Sequence, residues 1–211
     1  MDSYQLTFQA WDKAAAAYQH QFMGITLYDD TYDSFCRLIQ KSAPRIFEIG
    51  CGPGNITKYL LSKRPDFKMD AIDVAPEMIK LAKENNPAAH FRVMDCRELD
   101  LMTTVYDAIV CGFCMPYLSE ADCRKLILDC SRLLPHGGFF YCSTIEGDPS
   151  QSGYETGSDG TIKMYVYYHS ENALKEALES NAFDLLELKR KDYFKKDGSH
   201  STHLVFIARK K

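Results

Sequence analysis

The sequence predicts an α/β domain built on a mixed, mostly parallel sheet, with helices on both faces and a C-terminal antiparallel hairpin. Three observations lead there. From residue 45 onward short apolar runs alternate with amphipathic stretches, a glycine-rich turn marks the first strand-to-helix junction, and the last two strand-like runs flank Asp197-Gly198. Alternating strand and helix patterns imply crossover connections and therefore parallel strands. A tight Asp-Gly turn can only reverse the chain, which makes the sheet mixed.

Each element follows from its local pattern. Phe8, Trp11, Ala15, Tyr18 and Phe22 recur at helical spacing, as do Tyr28, Tyr32, Phe35 and Ile39, so residues 1–42 are expected to form an N-terminal helical flap. Residues 45–49 read as a strand, 55–63 as a helix, 69–74 as a strand, 76–85 as a helix and 90–95 as a strand. A fourth strand is expected over 105–112, and Ser119 with Asp122 forms a capping box for a helix ending near Leu134. Pro135-His136-Gly137-Gly138 breaks that helix before a fifth strand at 139–144.

Residues 146–160 are rich in Gly, Ser, Asp and Pro, so they are expected to be a mobile surface loop and a candidate lid. Residues 162–168 look like a strand, Ser170 can cap a helix running through Ser180, and strands at 185–191 and 203–209 close the domain. The whole is read as one domain over 1–211: the flap, a core at 43–145, then a substrate loop and hairpin at 146–211.

Composition narrows the functional classes. At 211 residues, 45% hydrophobic and 26% charged, the chain can bury a full core without staples. Its formal net charge is −4, and no run of Lys and Arg is longer than Lys189-Arg190-Lys191, so nucleic acid is not the expected partner. The start lacks a basic, apolar leader pattern, and no apolar stretch has the length of a membrane span. A cytosolic protein, monomer or homodimer, is expected. The eight cysteines sit within apolar stretches and are read as reduced, packed thiols, with a zinc or redox role for Cys111, Cys114, Cys123 and Cys130 the lesser alternative.

The chemistry is concentrated at Phe47-Glu48-Ile49-Gly50-Cys51-Gly52-Pro53-Gly54, a strand running through alternating glycines into a helix. Glycine permits the tight turn and lets backbone amides approach a ligand without a Cβ in the way. Asp73 ends the second strand, 19 residues past Gly54, where a carboxylate can accept both hydroxyls of a ribose; a helix-capping role is the plain alternative. Asp95 ends the third predicted strand and, with Met94 and Cys96, can edge an adenine ring.

These segments resemble the class I S-adenosylmethionine-dependent methyltransferases. Glu48-Ile49-Gly50-Cys51-Gly52-Pro53-Gly54 is similar to the first motif of that family, Asp73-Val74 to the second and Met94-Asp95-Cys96 to the third. Tyr106-Asp107-Ala108-Ile109-Val110-Cys111 resembles the strand beside the transferred methyl, and Leu133-Leu134-Pro135-His136-Gly137-Gly138 the turn before the fifth strand. The resemblance implies a Rossmann-like seven-stranded sheet and S-adenosylmethionine as cofactor. It implies that Gly50, Cys51, Gly52 and Gly54 line the methionine part, that Glu48 orients the loop and that Asp73 holds the ribose. Val74 and Met78 would pack on the adenosine, Asp95 and Cys96 would meet the adenine edge, Cys111 would lie beside the methyl, and Tyr18 would close over the cofactor.

The implied reaction is methyl transfer to a small-molecule acceptor by in-line displacement. The sulfonium methyl is already electrophilic, so alignment and exclusion of water come first and a general base is optional. His20, Tyr117, Tyr154 and His169 are the candidates if one is needed, while tyrosines between 154 and 168 offer an aromatic wall. Two other readings stand beside this one: a non-catalytic protein binding an adenosyl ligand, and an NAD(P)-dependent reductase. The reductase fingerprint needs a sixth-position glycine where Asn55 stands.

Overall fold

A computed structural model of the chain describes residues 3–156, 163–195 and 198–211. In order, the elements are α1 (Ser3–Phe22), α2 (Asp29–Leu38), β1 (Arg45–Ile49), α3 (Asn55–Lys63), β2 (Lys68–Asp73), α4 (Pro76–Asn85), β3 (His90–Val93) and β4 (Ala108–Cys111). Then come α5 (Glu120–Leu133), β5 (Phe139–Ile145), β6 (Gly153–Thr156), β7 (Lys163–Val166), α6 (Glu171–Ser180), β8 (Phe183–Phe194) and β9 (His200–Lys210).

The main sheet has seven strands in the order β3-β2-β1-β4-β5-β9-β8. Strands β1 to β5 pair in parallel, and β9 runs antiparallel to both β5 and β8. This is the expected Rossmann-like mixed sheet with its closing hairpin. Gly198 takes φ +84° between β8 and β9, while Asp197 lies outside the described residues.

Period-two alternation sorts the central strands between two cores. Phe47 and Ile49 of β1, Ile109 and Cys111 of β4, Phe140 of β5 and Phe206 of β9 face one side with α5 and α6. Ile46, Ala108, Val110, Tyr141 and Ile207 face the other with α2 and α3. Strands buried on both faces are predominantly apolar, and the buried exceptions here include Glu48 of β1 and Ser143 and Thr144 of β5.

Three expectations need correction. The 1–42 segment does not act as one flap: α1 lies over the carboxyl edge of the sheet, but α2 packs into a face. Phe35 of α2 is fully buried, and Tyr32 and Phe35 both meet the ring of Tyr141. The 146–160 loop also holds more structure than its composition suggests. Its described part contains a 3₁₀ turn at Pro149–Gln151 and strand β6, which pairs antiparallel with β7 in a separate two-stranded ribbon. Residues 157–160, and with them the rest of the lid expectation, lie outside the described residues. The ribbon escapes notice because its stability is tertiary: Tyr165 donates its amide to Thr7 of α1 at 3.2 Å, and Tyr4 stacks on Tyr167.

The third correction concerns caps and strand ends. Ser119 caps α5 by accepting from the Asp122 amide at 3.1 Å, but Asp122 returns its bond from the Ser119 hydroxyl at 2.7 Å rather than the Ser119 amide. That amide instead donates to Tyr4 at 2.9 Å. Strands β3 and β4 are shorter than expected, and Asp95 falls beyond β3 as the cap of a 3₁₀ helix at Cys96–Leu101.

If α2 belongs to the core, Phe35→Ala should cost about 3–5 kcal/mol of unfolding free energy, read from urea denaturation. A loss below about 1 kcal/mol, the size expected of surface positions, would restore α2 to a peripheral flap.

Candidate functional site

The strand order reverses between β1 and β4. Connections leave the sheet in opposite directions there, which opens a crevice outside the carboxyl ends of the strands. A cleft of about 770 Å³, counting its open mouth, lies there.

The floor of the cleft is built from three consecutive strand ends. Gly50 and Gly52 follow β1, Asp73 and Val74 end and follow β2, and Met94, Asp95 and Cys96 follow β3. Gly52 sits at φ +53° with its amide pointed at Asp73, whose carboxylate accepts it at 2.9 Å. The second oxygen of Asp73 accepts from the Ala75 amide at 2.9 Å. Asp73 therefore braces the glycine loop against the start of α4, a duty close to the helix-capping alternative read from sequence. Burial raises its carboxyl above the usual range, and its amide bonds oppose that rise.

Asp95 is held by a cation. Its oxygens accept from Arg97 Nε and Nη2 at 2.9 and 2.6 Å, and from the Arg97 amide at 2.9 Å. The Arg97 guanidinium in turn stacks 4.0 Å over the ring of Tyr4. Cys96 and Cys114 face each other across the cleft wall with sulfurs 3.6 Å apart, and all eight cysteines are free.

Helix α1 forms the roof. Tyr18 approaches Gly52, where a Cβ would stand 3.6 Å from its ring. Trp11 packs edge-on against Tyr18 at 5.4 Å and Tyr117 at 5.1 Å, and touches Ala75 and Met78. Polar contacts hold the helix in place: Asp12 accepts the Glu77 amide at 2.9 Å, and Gln19 accepts from Asn85 at 2.7 Å.

The expected site residues divide cleanly. Tyr18, Gly50, Gly52, Asp73, Val74, Met78, Asp95, Cys96 and Tyr117 line the cleft. Glu48, Cys51, Gly54 and Cys111 are behind its surface. Glu48 is fully buried, accepts a hydrogen bond from Thr57, and leaves Oε1 without a partner. Burial first, and the charge of Asp73 after it, push the Glu48 carboxyl up to about 8. A Cβ at Gly54 would lie 2.4 Å from Asn86 Nδ2, so this glycine serves the close packing of α3 on α4.

Among the base candidates only Tyr117 reaches the cleft, and burial raises its phenol above the ordinary range. His169 is buried behind it, within 3.0 Å of the Met115 carbonyl and 3.5 Å of Cys123, and burial lowers its pKa. His20 and Tyr154 are exposed. Among the described residues no group of three or more His, Cys, Asp or Glu is placed to hold a metal ion.

Sequence reading missed Thr7, Phe8, Trp11, Phe113, Cys114 and Leu118 in this cleft. Phe113 and Cys114 had a signal, because residues after β4 border any crevice at the strand-order reversal. Phe113 adopts φ +54°, an unusual conformation for a bulky residue and one that clusters at functional sites. The contributions of α1 depend on where the helix docks.

Residues 46–138 match the family model described as a methyltransferase domain. The trans-aconitate 2-methyltransferase of Mycobacterium ulcerans (strain Agy99) is 32% identical over 113 residues, covering 51% of this chain and 39% of that protein. The malonyl-(acyl-carrier protein) O-methyltransferase of Hahella chejuensis (strain KCTC 2396) is 29% identical over 140 residues, covering 65% and 48%. The chain thus spans less than half the length of these relatives. A crystal structure of magnesium protoporphyrin IX methyltransferase from Synechocystis PCC 6803, solved with bound S-adenosylmethionine, superposes with a TM-score of 0.73 over 100% of this chain and 98% of that one, at 13% identity. At that identity the likeness is one of fold. With the motif-bearing strand ends gathered at one cleft and residues 46–138 matched by the family model, this part of the chain is similar to methyltransferase domains.

Proposed function

We propose that the protein transfers the methyl group of S-adenosylmethionine to a small-molecule acceptor by in-line displacement. The observation that carries this reading is the convergence of Gly52, Asp73 and Asp95 on one cleft, with the first two joined at 2.9 Å. The relatives named above are, by their names, methyltransferases of trans-aconitate and of malonyl-(acyl-carrier protein), which supports methyl transfer to a small-molecule group.

The residues present fit the cofactor. Asp73 would accept the ribose hydroxyls, Val74 and Met78 would pack on the adenosine, and Asp95 with Cys96 would meet the adenine edge. Gly50 and Gly52 leave room for the methionine part, and Tyr18 covers it. The cofactor supplies an electrophilic methyl on a sulfonium. The chain's own task is to hold the acceptor in line and keep water out, which α1 serves as a roof. Tyr117, with its raised phenol, is suited to donating a hydrogen bond at neutral pH rather than to taking a proton. Helices among the described residues are too short or too polar to cross a membrane, and with eight free thiols the cytosol is the proposed compartment.

Asp73→Ala should weaken S-adenosylmethionine binding roughly a hundredfold, the scale of losing two charge-assisted hydrogen bonds, as read by calorimetry. Because Asp73 also receives the Gly52 and Ala75 amides, the variant should lose about 1–3 kcal/mol of stability as well. Unchanged affinity in a folded variant would remove the ribose role. Methyl transfer from labelled cofactor into a fractionated cell extract tests the activity itself; a labelled cofactor that binds and never donates would leave a binding protein.

Glu48, proposed to orient the loop from below, makes stability depend on pH. Its folded pKa, about 8, exceeds the roughly 4.3 of an unfolded Glu, so the folded state binds the extra proton. Its contribution is therefore complete below the unfolded value and lost as pH rises through the folded one. Glu48→Gln should show a smaller decline in urea midpoint between about pH 5 and pH 9 than the parent chain. Parallel declines in both proteins would mean that Glu48 is ionised in the fold.

A further inference from the structure

An acceptor that carries a proton on its attacking atom must lose it, and the groups lining the cleft are not free to take one. Both oxygens of Asp73 accept backbone amides, from Gly52 and Ala75. Both oxygens of Asp95 accept from the Arg97 guanidinium, which also cancels their charge. Burial raises the phenols of Tyr18 and Tyr117. Hydrogen bonding to a neighbouring thiol, together with burial, pushes up the thiols of Cys96 and Cys114. Among the described residues no Lys or His lines the cleft. An alcohol, a phenol or an ammonium would therefore be methylated with its own proton stranded.

Hydrogen-bond donors, by contrast, are present and unused. Trp11 Nε1 is buried without a partner, although an indole N–H can only donate and is normally satisfied when buried. The ring of Tyr117 meets that of Trp11 edge-on at 5.1 Å, and its phenol keeps its proton and lines the same cleft. Phe8, Phe113 and Leu118 add apolar lining. Such a wall suits an acceptor that has an apolar body and an oxygen needing no deprotonation.

We propose that the acceptor group is a carboxylate on an apolar body, converted to its methyl ester, with Trp11 and Tyr117 donating hydrogen bonds to it. The proposal rests on the reading of the strand-end wall as the S-adenosylmethionine site. One carboxylate oxygen forms a bond to the methyl carbon while the carbon–sulfur bond breaks and its electron pair stays on sulfur. The negative charge of the carboxylate and the positive charge of the sulfonium disappear together, and no proton has to move. The same sulfonium gives the entering carboxylate a cation inside the cleft, which offsets its desolvation. A thioether also lacks a proton, but it gains nothing from that cation.

The chemistry of esters supplies the test. With labelled S-adenosylmethionine and the small-molecule fraction of a cell extract, mild alkali should release the transferred label as volatile methanol, because hydroxide cleaves methyl esters but not methyl ethers or N-methyl groups. Carboxylates are already ionised above about pH 5, so the initial rate of transfer should stay within about twofold from about pH 6 to about pH 7.5. An acceptor that sheds a proton without a base would gain about tenfold per pH unit. Label that resists alkali, or a rate that climbs in this way, overturns the carboxylate while methyl transfer itself stands. Cofactor binding with no transfer into any fraction would sink both readings. Trp11→Phe and Tyr117→Phe should each slow methanol-releasing transfer about tenfold at limiting acceptor, the scale of a hydrogen bond to a charged group, and leave S-adenosylhomocysteine affinity unchanged by calorimetry. A variant that loses affinity for S-adenosylhomocysteine yet transfers normally at saturating cofactor would show that its side chain serves the cofactor, and the assignment of that donor fails.

Discussion

The hydrogen bond from the Gly52 amide to the Asp73 carboxylate, 2.9 Å long and partly buried, is the constraint around which the cleft is organised. It joins the loop after β1 to the end of β2, and the second oxygen of the same carboxylate takes the Ala75 amide at the entry to α4. One side chain thereby sets the positions of two loops and one helix. The cost of burying that carboxylate is offset by the two amides, since a buried charge is tolerated only when its lone pairs are occupied. Glu48, beneath the same loop, meets the same problem differently: with one oxygen bonded to Thr57 and the other unpartnered, burial pushes its carboxyl up to about 8.

Helix α1 completes what the sheet begins. Tyr4 is pinned at one end by its hydroxyl bond to Asp122, the Ser119 amide and the Arg97 guanidinium above its ring. Asp12 and Gln19 tie the other turns to α4, and Thr7 holds the β6–β7 ribbon. These contacts, with a small apolar cluster of Ala15, Ala75 and Met78, place Trp11 and Tyr18 over the glycine loop. The roof is therefore largely aromatic and hydrogen-bonded, a type of packing that admits a flat ligand more readily than a close-packed aliphatic seam.

Much of the fold was legible because strand burial and helix periodicity are local signals. The run from Arg45 to Ile49 and the helix at Pro76–Asn85 declare themselves by composition, caps and turn residues. Strand β6 and the two-residue displacement of Asp95 past β3 were not legible, since a four-residue polar strand forms only when a partner and α1 are present to cover it. The same limit applied to the site. The backbone motifs after β1, β2 and β3 could be placed because they sit at fixed points along the chain, whereas Trp11 and Phe8 enter the cleft through helix docking.

By itself the sequence determined the order of the main-sheet strands and the helices, the glycine loop and the carboxylates at or just past successive strand ends, because turn chemistry and hydrophobic period act over a few neighbouring residues. Only the tertiary structure decided that α2 belongs to the core and α1 to the roof, that Gly54 and Cys111 serve packing behind the cleft, and that Arg97 is committed to Asp95. It also decided that the Trp11 N–H is left without a partner. Those outcomes depend on contacts between segments far apart in the chain, whose docking no local pattern encodes.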